Sequence, residues 1–207
     1  MKPIALTGNI GCGKSTVASL LAKLPRVVVF DCDTIAKEII FSRKYNKEIA
    51  EIFGYGILTT HISEYAISDQ IDIKMMAMRM FEDPEKKRRL ESLIHPLVWE
   101  VIAEKIKNLP EHTISIVESA IIFEIGWENR FECVIAAICD ENVARKRLRK
   151  KRWMSNSEID SRLRSQLPPH EKARRAQFVI DTNCTLDELE VQILKLYETL
   201  TKKGNDV

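Results

Sequence analysis

Three of the chain's seven glycines, Gly8, Gly11 and Gly13, fall within six positions, and Lys14, Ser15 and Thr16 follow at once. The stretch from Gly8 to Ser15 satisfies the pattern G-x-x-x-x-G-K-[ST]. Glycines allow backbone angles that other residues resist, so successive N–H groups can turn inward on a polyphosphate while the following helix adds the positive end of its dipole. Lys14 would reach the β and γ phosphates, and Ser15 would offer its hydroxyl to a magnesium ion shared with them. The binding residues implied are Gly11, Cys12, Gly13, Lys14, Ser15 and Thr16, with Ser15 as metal ligand. The plainer alternative is a glycine turn that only joins a strand to a helix. Cys12 occupies a variable position of the loop, as a small filler or as a thiol whose pKa a helix N-terminus lowers.

Phosphoryl transfer would also need a carboxylate near the attacking hydroxyl, arginines over the γ phosphate and a lid against water. Asp31 and Asp33 close the run "VVVFDCD" and could orient and deprotonate a hydroxyl, but Asp33 equally fits an N-cap of the helix-like "TIAKEII". Glu118 ends another apolar run and could hold magnesium through water. In "RKRLRKKR", 145 to 152, seven of eight residues are basic. Three readings stand for it: a lid whose arginines, Arg147 and Arg162 among them, close over the transferring phosphate; a solvated helix; or a nucleic-acid patch. Trp153 is the one aromatic beside it, and the chain's net charge of +2 does not extend the basic character.

Strands and helices must alternate to hold these residues. "PIALT" runs into the glycine loop, after which Val17, Leu20, Leu21 and Leu24 recur at helical spacing until Pro25. "VVVF", "TISIV", "CVIAAIC" and "QFVID" read as further strands, the first as one buried on both faces of a parallel sheet. Strands separated by helical stretches imply right-handed crossovers and helices on both faces. About 80 residues between the second and third strands exceed a single crossover, so an inserted helical subdomain is expected. Ser155 with Glu158 and Thr185 with Glu188 form capping boxes that open two late helices. Leu186, Leu189, Ile193, Leu196 and Leu200 make the buried stripe of the last one, and "TKKGNDV" reads as a frayed tail.

The 207 residues, 45% hydrophobic and 30% charged, suit one globular domain with an insertion. No apolar run approaches the roughly 18 residues of a membrane span, and the glycine loop leaves no room for a signal peptide ahead of it, so a cytoplasmic protein is expected. Five cysteines without a C-x-x-C pair point to reduced thiols and against structural zinc. No base-reading N-K-x-D motif of purine-nucleotide switches is present.

Taken together, "LTGNIGCGKST", "FDCDTIAKEII", "FEDPEKKRRLESLIHPLVWEVI", "IIFE" at 121 to 124 and "SEIDSRLRSQLPPHEKARRAQFVID" resemble the dephospho-coenzyme A kinase family over nearly the whole chain. The resemblance implies ATP as donor, magnesium, and phosphorylation of the ribose 3′-hydroxyl of dephospho-CoA, the last step of coenzyme A synthesis. It implies an α/β fold of the P-loop NTPase type, with a parallel five-stranded sheet flanked by helices, an inserted helical substrate-binding subdomain and a helical lid. On that basis a single domain is expected, with its core at 1–35, 113–140 and 176–200, the insertion at 36–112 and the lid at 141–175. Asp33 matches the family's proposed base, Lys14 keeps its role on the phosphates, and Arg147 is the lid arginine expected to act. His95 and Pro96 match an "HP" pair that starts a helix near the acceptor; by itself His95 reads as a cap or packing residue. The chain departs from the family pattern at Glu118, Ala120, Ala144, Lys151, Gln177, Thr182 and Cys184, which bears on lid closure and adenine contact. Another nucleoside or nucleotide kinase of similar build is the alternative, and a non-catalytic nucleotide or RNA-binding module the more distant one. Neither a nucleic-acid nor a membrane partner is expected, and a monomer is.

Overall fold

The computed structural model describes residues 2–62, 67–152 and 154–203. Trp153, the tail residues 204–207 and the side chain of Lys151 lie outside the described residues. In chain order the elements are β1 (Ile4–Thr7), α1 (Lys14–Leu21), β2 (Val27–Asp31), α2 (Cys32–Phe41), α3 (Asn46–Phe53), β3 (Leu58–Ile62), β4 (Ile67–Ile71), α4 (Ile73–Glu82) and α5 (Pro84–Lys107). Then come β5 (Ile114–Glu118), β6 (Val134–Ile138), α6 (Glu141–Arg152), α7 (Asn156–Arg164), α8 (Pro169–Arg175), β7 (Phe178–Asp181) and α9 (Leu186–Lys203). They form two compact units, one of Met1–Asp31 with Leu109–Val207 and one of Cys32–Asn108.

The first unit is built on a parallel five-stranded sheet in the order β2-β5-β1-β6-β7. The β-branched runs seen in the sequence supply its strands, and β1 and β6 are buried along nearly their whole length. One strand differs from expectation: β2 is an edge, and Val27, Val28 and Val29 are only half-buried, because it pairs with β5 alone. The core joins Leu6, Ile116 and Ile135 of the sheet to Val17 and Leu21 of α1 and Ile193 of α9. Each such side chain contributes about 2 kcal/mol on burial. Both capping boxes form: Glu158 N–H donates to Ser155 Oγ at 3.3 Å while Ser155 N–H donates to Glu158 Oε2 at 2.8 Å, and Thr185 and Glu188 repeat the exchange at 3.4 and 2.8 Å.

The second unit is mainly helical. Asp83 caps α5 by accepting from Glu85 and Lys86 N–H, Pro84 fills the first turn, and Leu90, Ile94, Val98 and Ile102 bury one face. Two features depart from the sequence reading. Pro96 stands inside α5 and starts no helix. The ring removes one N–H from the ladder, but the buried stripe runs past it on both sides and keeps the helix continuous. β3 and β4 form an antiparallel hairpin where only helices were expected. Threonines and isoleucines favour extended backbone there, and Thr60 Oγ1 donates across the pair to Asp69 Oδ1 at 2.7 Å.

Candidate active site

The glycine loop leaves β1 and enters α1 at Gly13, the N-cap, whose φ of 82° is left-handed. Gly8 and Gly11, at φ 150° and 81°, are needed for a second reason: a Cβ on Gly8 would lie 2.3 Å from the Ala137 carbonyl oxygen, and one on Gly11 2.8 Å from that of Ala144. The loop backbone is thus packed against β6 and α6 too closely for any side chain. Cys12 N–H donates to the Asn9 carbonyl at 3.1 Å, and Thr16 and Val17 N–H to that of Gly13, which closes the loop onto the helix.

Lys14 and Ser15 converge on one carboxylate. Lys14 Nζ is 2.9 Å from Glu118 Oε1, and Ser15 Oγ donates to the same oxygen at 3.0 Å. Sheet order explains the meeting. β5 lies beside β1 with Leu6 opposite Glu118, so the strand ends where the loop begins. Glu118 is buried, and Asp31 is its register partner on β2. Two carboxylates therefore end adjacent strands at the edge where open α/β sheets bind ligands. Asp33 lies two residues beyond Asp31, in the first turn of α2, so it sits within the helix and not at its N-cap.

Arg147 reaches the same neighbourhood from α6. Its guanidinium donates to Thr182 Oγ1 at 3.0 Å and to Thr182 O at 2.6 Å, and a Cβ on Gly13 would lie 3.3 Å from its Nη1. Thr182, 2% exposed, donates a hydrogen bond from its hydroxyl to Cys12 O at 2.7 Å. This threonine ties arginine and loop together, and sequence reasoning missed that role. Its signal was position: it directly follows β7 at the strand edge that carries the loop. Arg145 joins α6 to α7, with one arm on Glu141 at 2.7 Å and the other on Asp160 at 2.6 Å, whereas Arg162 is exposed on α7. A cleft of about 660 Å³ opens beside the loop, lined by Asn9, Cys12, Ala144, Leu163, Arg164 and Gln166.

Burial pushes the Cys12 thiol up to about 11, against the opposing pull of the Lys14 N–H and charge. Cys12 is therefore a protonated filler at neutral pH. The oxygens of Ser15 and Glu118, side by side, are hard donors that could hold a magnesium ion together with phosphate and water. Among the described residues no cluster of three or more His, Cys, Asp or Glu could hold a metal by protein ligands alone, and no helix is long and apolar enough to cross a membrane.

The chain is similar to known proteins over nearly its whole length. The family model described as dephospho-CoA kinase matches residues 3–188. A dephospho-CoA kinase of Aquifex aeolicus is 36% identical over 205 residues, covering 98% of this chain and 99% of the relative. A crystal structure from Thermus thermophilus superposes with a TM-score of 0.79 at 29% identity, over 97% of this chain and 99% of the other. The dephospho-CoA kinase from Campylobacter jejuni does so with a TM-score of 0.71 at 26% identity, over 98% of each. With a family model matched over residues 3–188 and a relative 36% identical across 98% of this chain, the chain belongs to the dephospho-CoA kinase family.

Proposed function

We propose that the protein transfers the γ-phosphoryl group of ATP to the ribose 3′-hydroxyl of dephospho-CoA, giving CoA and ADP in the last step of coenzyme A synthesis. The observation that carries this reading is the convergence of Lys14 and Ser15 on Glu118 at the mouth of the glycine loop, in a chain of this family.

The loop N–H groups and the α1 dipole take the charge of the β and γ phosphates, and Lys14 follows that charge as it shifts to the leaving ADP. Asp33 accepts the proton of the 3′-hydroxyl as the new O–P bond forms and the bond from the γ phosphorus to the bridging oxygen breaks. Arg147, held at two points by Thr182, lies beside Gly13 and adds positive charge there. Ser15 would hold a magnesium ion, with Glu118 supporting it through water, and the ion would supply neutralisation of phosphate charge. Gly11, Cys12, Gly13 and Thr16 contribute backbone around the phosphates.

A coupled assay for ADP release, with ATP and magnesium and a panel of dephospho-CoA, AMP, CMP and thymidine, tests the proposal. Turnover that is highest by far with dephospho-CoA is expected. Preference for another nucleotide would move the protein to a neighbouring kinase activity. RNA affinity that falls steeply with salt, with no turnover of any acceptor, would overturn the catalytic reading.

A further inference from the structure

A buried lysine on α8 does nothing in the mechanism above. Lys172 is 0% exposed, and its ammonium sits 2.8 Å from Glu124 Oε1 and also donates to the Ala120 carbonyl. Burial pushes its pKa down, while the Glu124 carboxylate opposes that shift. A buried ion pair is weak grounds for stability, because desolvation offsets much of the attraction. What distinguishes this one is the third group on the same oxygen.

Glu124 Oε1 also accepts the Leu167 N–H at 2.8 Å. Asn9 Nδ2 in turn donates to the Leu167 carbonyl at 2.9 Å, and Ile10 N–H donates to Oε1 of the neighbouring Gln166 at 3.0 Å. Asn9 and Ile10 are the first residues of the phosphate loop after Gly8, and Asn9 is 5% exposed. Residues 165–168 are the connection by which the lid helix α7 passes into α8. The chain of contacts therefore runs from a buried charge, through the exit of the lid, to the loop that grips phosphate.

We propose that Glu124 and Lys172 are positioning residues for the nucleotide: they hold the Gln166–Leu167 backbone in place, and this backbone holds Asn9 and Ile10 in the shape that binds polyphosphate. The α7–α8 connection is thereby anchored to the loop, and Arg145 straps α7 to α6. The pair acts through the loop and touches no substrate. The inference rests on the reading of the loop as the ATP site and is independent of the acceptor.

The test is equilibrium binding of a non-hydrolysable ATP analogue with magnesium, together with separate KM values for ATP and dephospho-CoA. Lys172→Met and Glu124→Leu are each expected to weaken the analogue about tenfold or more. They should raise the KM for ATP in parallel and leave that for dephospho-CoA within about twofold. Glu124→Gln keeps an oxygen that can accept from Leu167 and should stay within about threefold of the parent. Unchanged analogue affinity in Lys172→Met, measured well below its melting temperature, overturns the proposal, and so does a Glu124→Gln protein that behaves like Glu124→Leu. If neither truncated variant folds, Asn9→Ala cuts the far end of the relay with the ion pair intact. It must show the same split between nucleotide and acceptor, and undiminished affinity there overturns the proposal equally. Because the analogue binds without acceptor, a wrong acceptor assignment would show as absent turnover in the parent and leave this result readable.

Discussion

Lys14 and Glu118, 104 positions apart in the chain, meet at 2.9 Å, and Glu118 holds Ser15 at 3.0 Å through the same oxygen. One carboxylate thus sets both the cation and the hydroxyl of the phosphate loop. Glu118→Gln keeps the hydrogen bonds and removes the charge. Turnover is expected to fall about tenfold or more, with a higher magnesium concentration needed for half-maximal rate. A magnesium titration of the steady-state rate checks this.

Asp33→Asn should separate binding from chemistry. The amide is nearly isosteric but cannot accept the hydroxyl proton, so turnover is expected to drop about a hundredfold or more. Affinity for ATP, measured calorimetrically, should remain that of the parent. Near-normal turnover would remove Asp33 from the mechanism.

Arg147 grips Thr182 with two N–H groups, at 3.0 and 2.6 Å. Lysine offers a single point charge and cannot make that two-point contact. In Arg147→Lys the KM for ATP is expected to rise about fivefold to tenfold, which initial-rate kinetics would show.

A methyl group at Gly8 would lie 2.3 Å from the Ala137 carbonyl oxygen and 2.7 Å from Cys12 Sγ, whereas nothing stands within 4 Å of one at Gly126. Gly8→Ala is expected to lower stability by more than about 2 kcal/mol and to abolish nucleotide binding. Gly126→Ala meets only the strain of its left-handed backbone, about 1 kcal/mol, and should bind ATP normally. Denaturant melts of the two variants give the comparison.

Burial pushes the His95 imidazole below its ordinary 6.5, and Glu91 on the preceding turn opposes the shift only in part. The folded protein favours the neutral ring, so this contribution to stability is complete above 6.5 and is lost as pH falls from there toward the folded-state value. The melting temperature should therefore decline as pH falls below 6.5, and less so in His95→Gln. An equal decline in both proteins would show that His95 does not contribute.

Much of this was legible along the chain. The pattern from Gly8 to Ser15 names a backbone shape, because only glycine tolerates the angles and the close approach, and Lys14 and Ser15 follow at fixed spacing. The β-branched runs and the two capping boxes likewise carry their structure locally. Other features had no local signal. The β3–β4 hairpin lies in a stretch whose mixed composition also suits helix, and α5 continues through Pro96 because packing on one face outweighs a missing hydrogen bond.

What the sequence determined by itself was therefore a phosphate-gripping loop, the types of its flanking elements, and the family to which they belong. The tertiary structure decided which distant groups serve that loop. The order β2-β5-β1-β6-β7 brings Glu118 to Lys14, Thr182 to Cys12, and, through Leu167, the buried Lys172–Glu124 pair to Asn9. Backbone angles and side-chain periodicity are short-range properties written residue by residue, whereas partners across a sheet depend on strand order and register, which exist only when the whole core has closed.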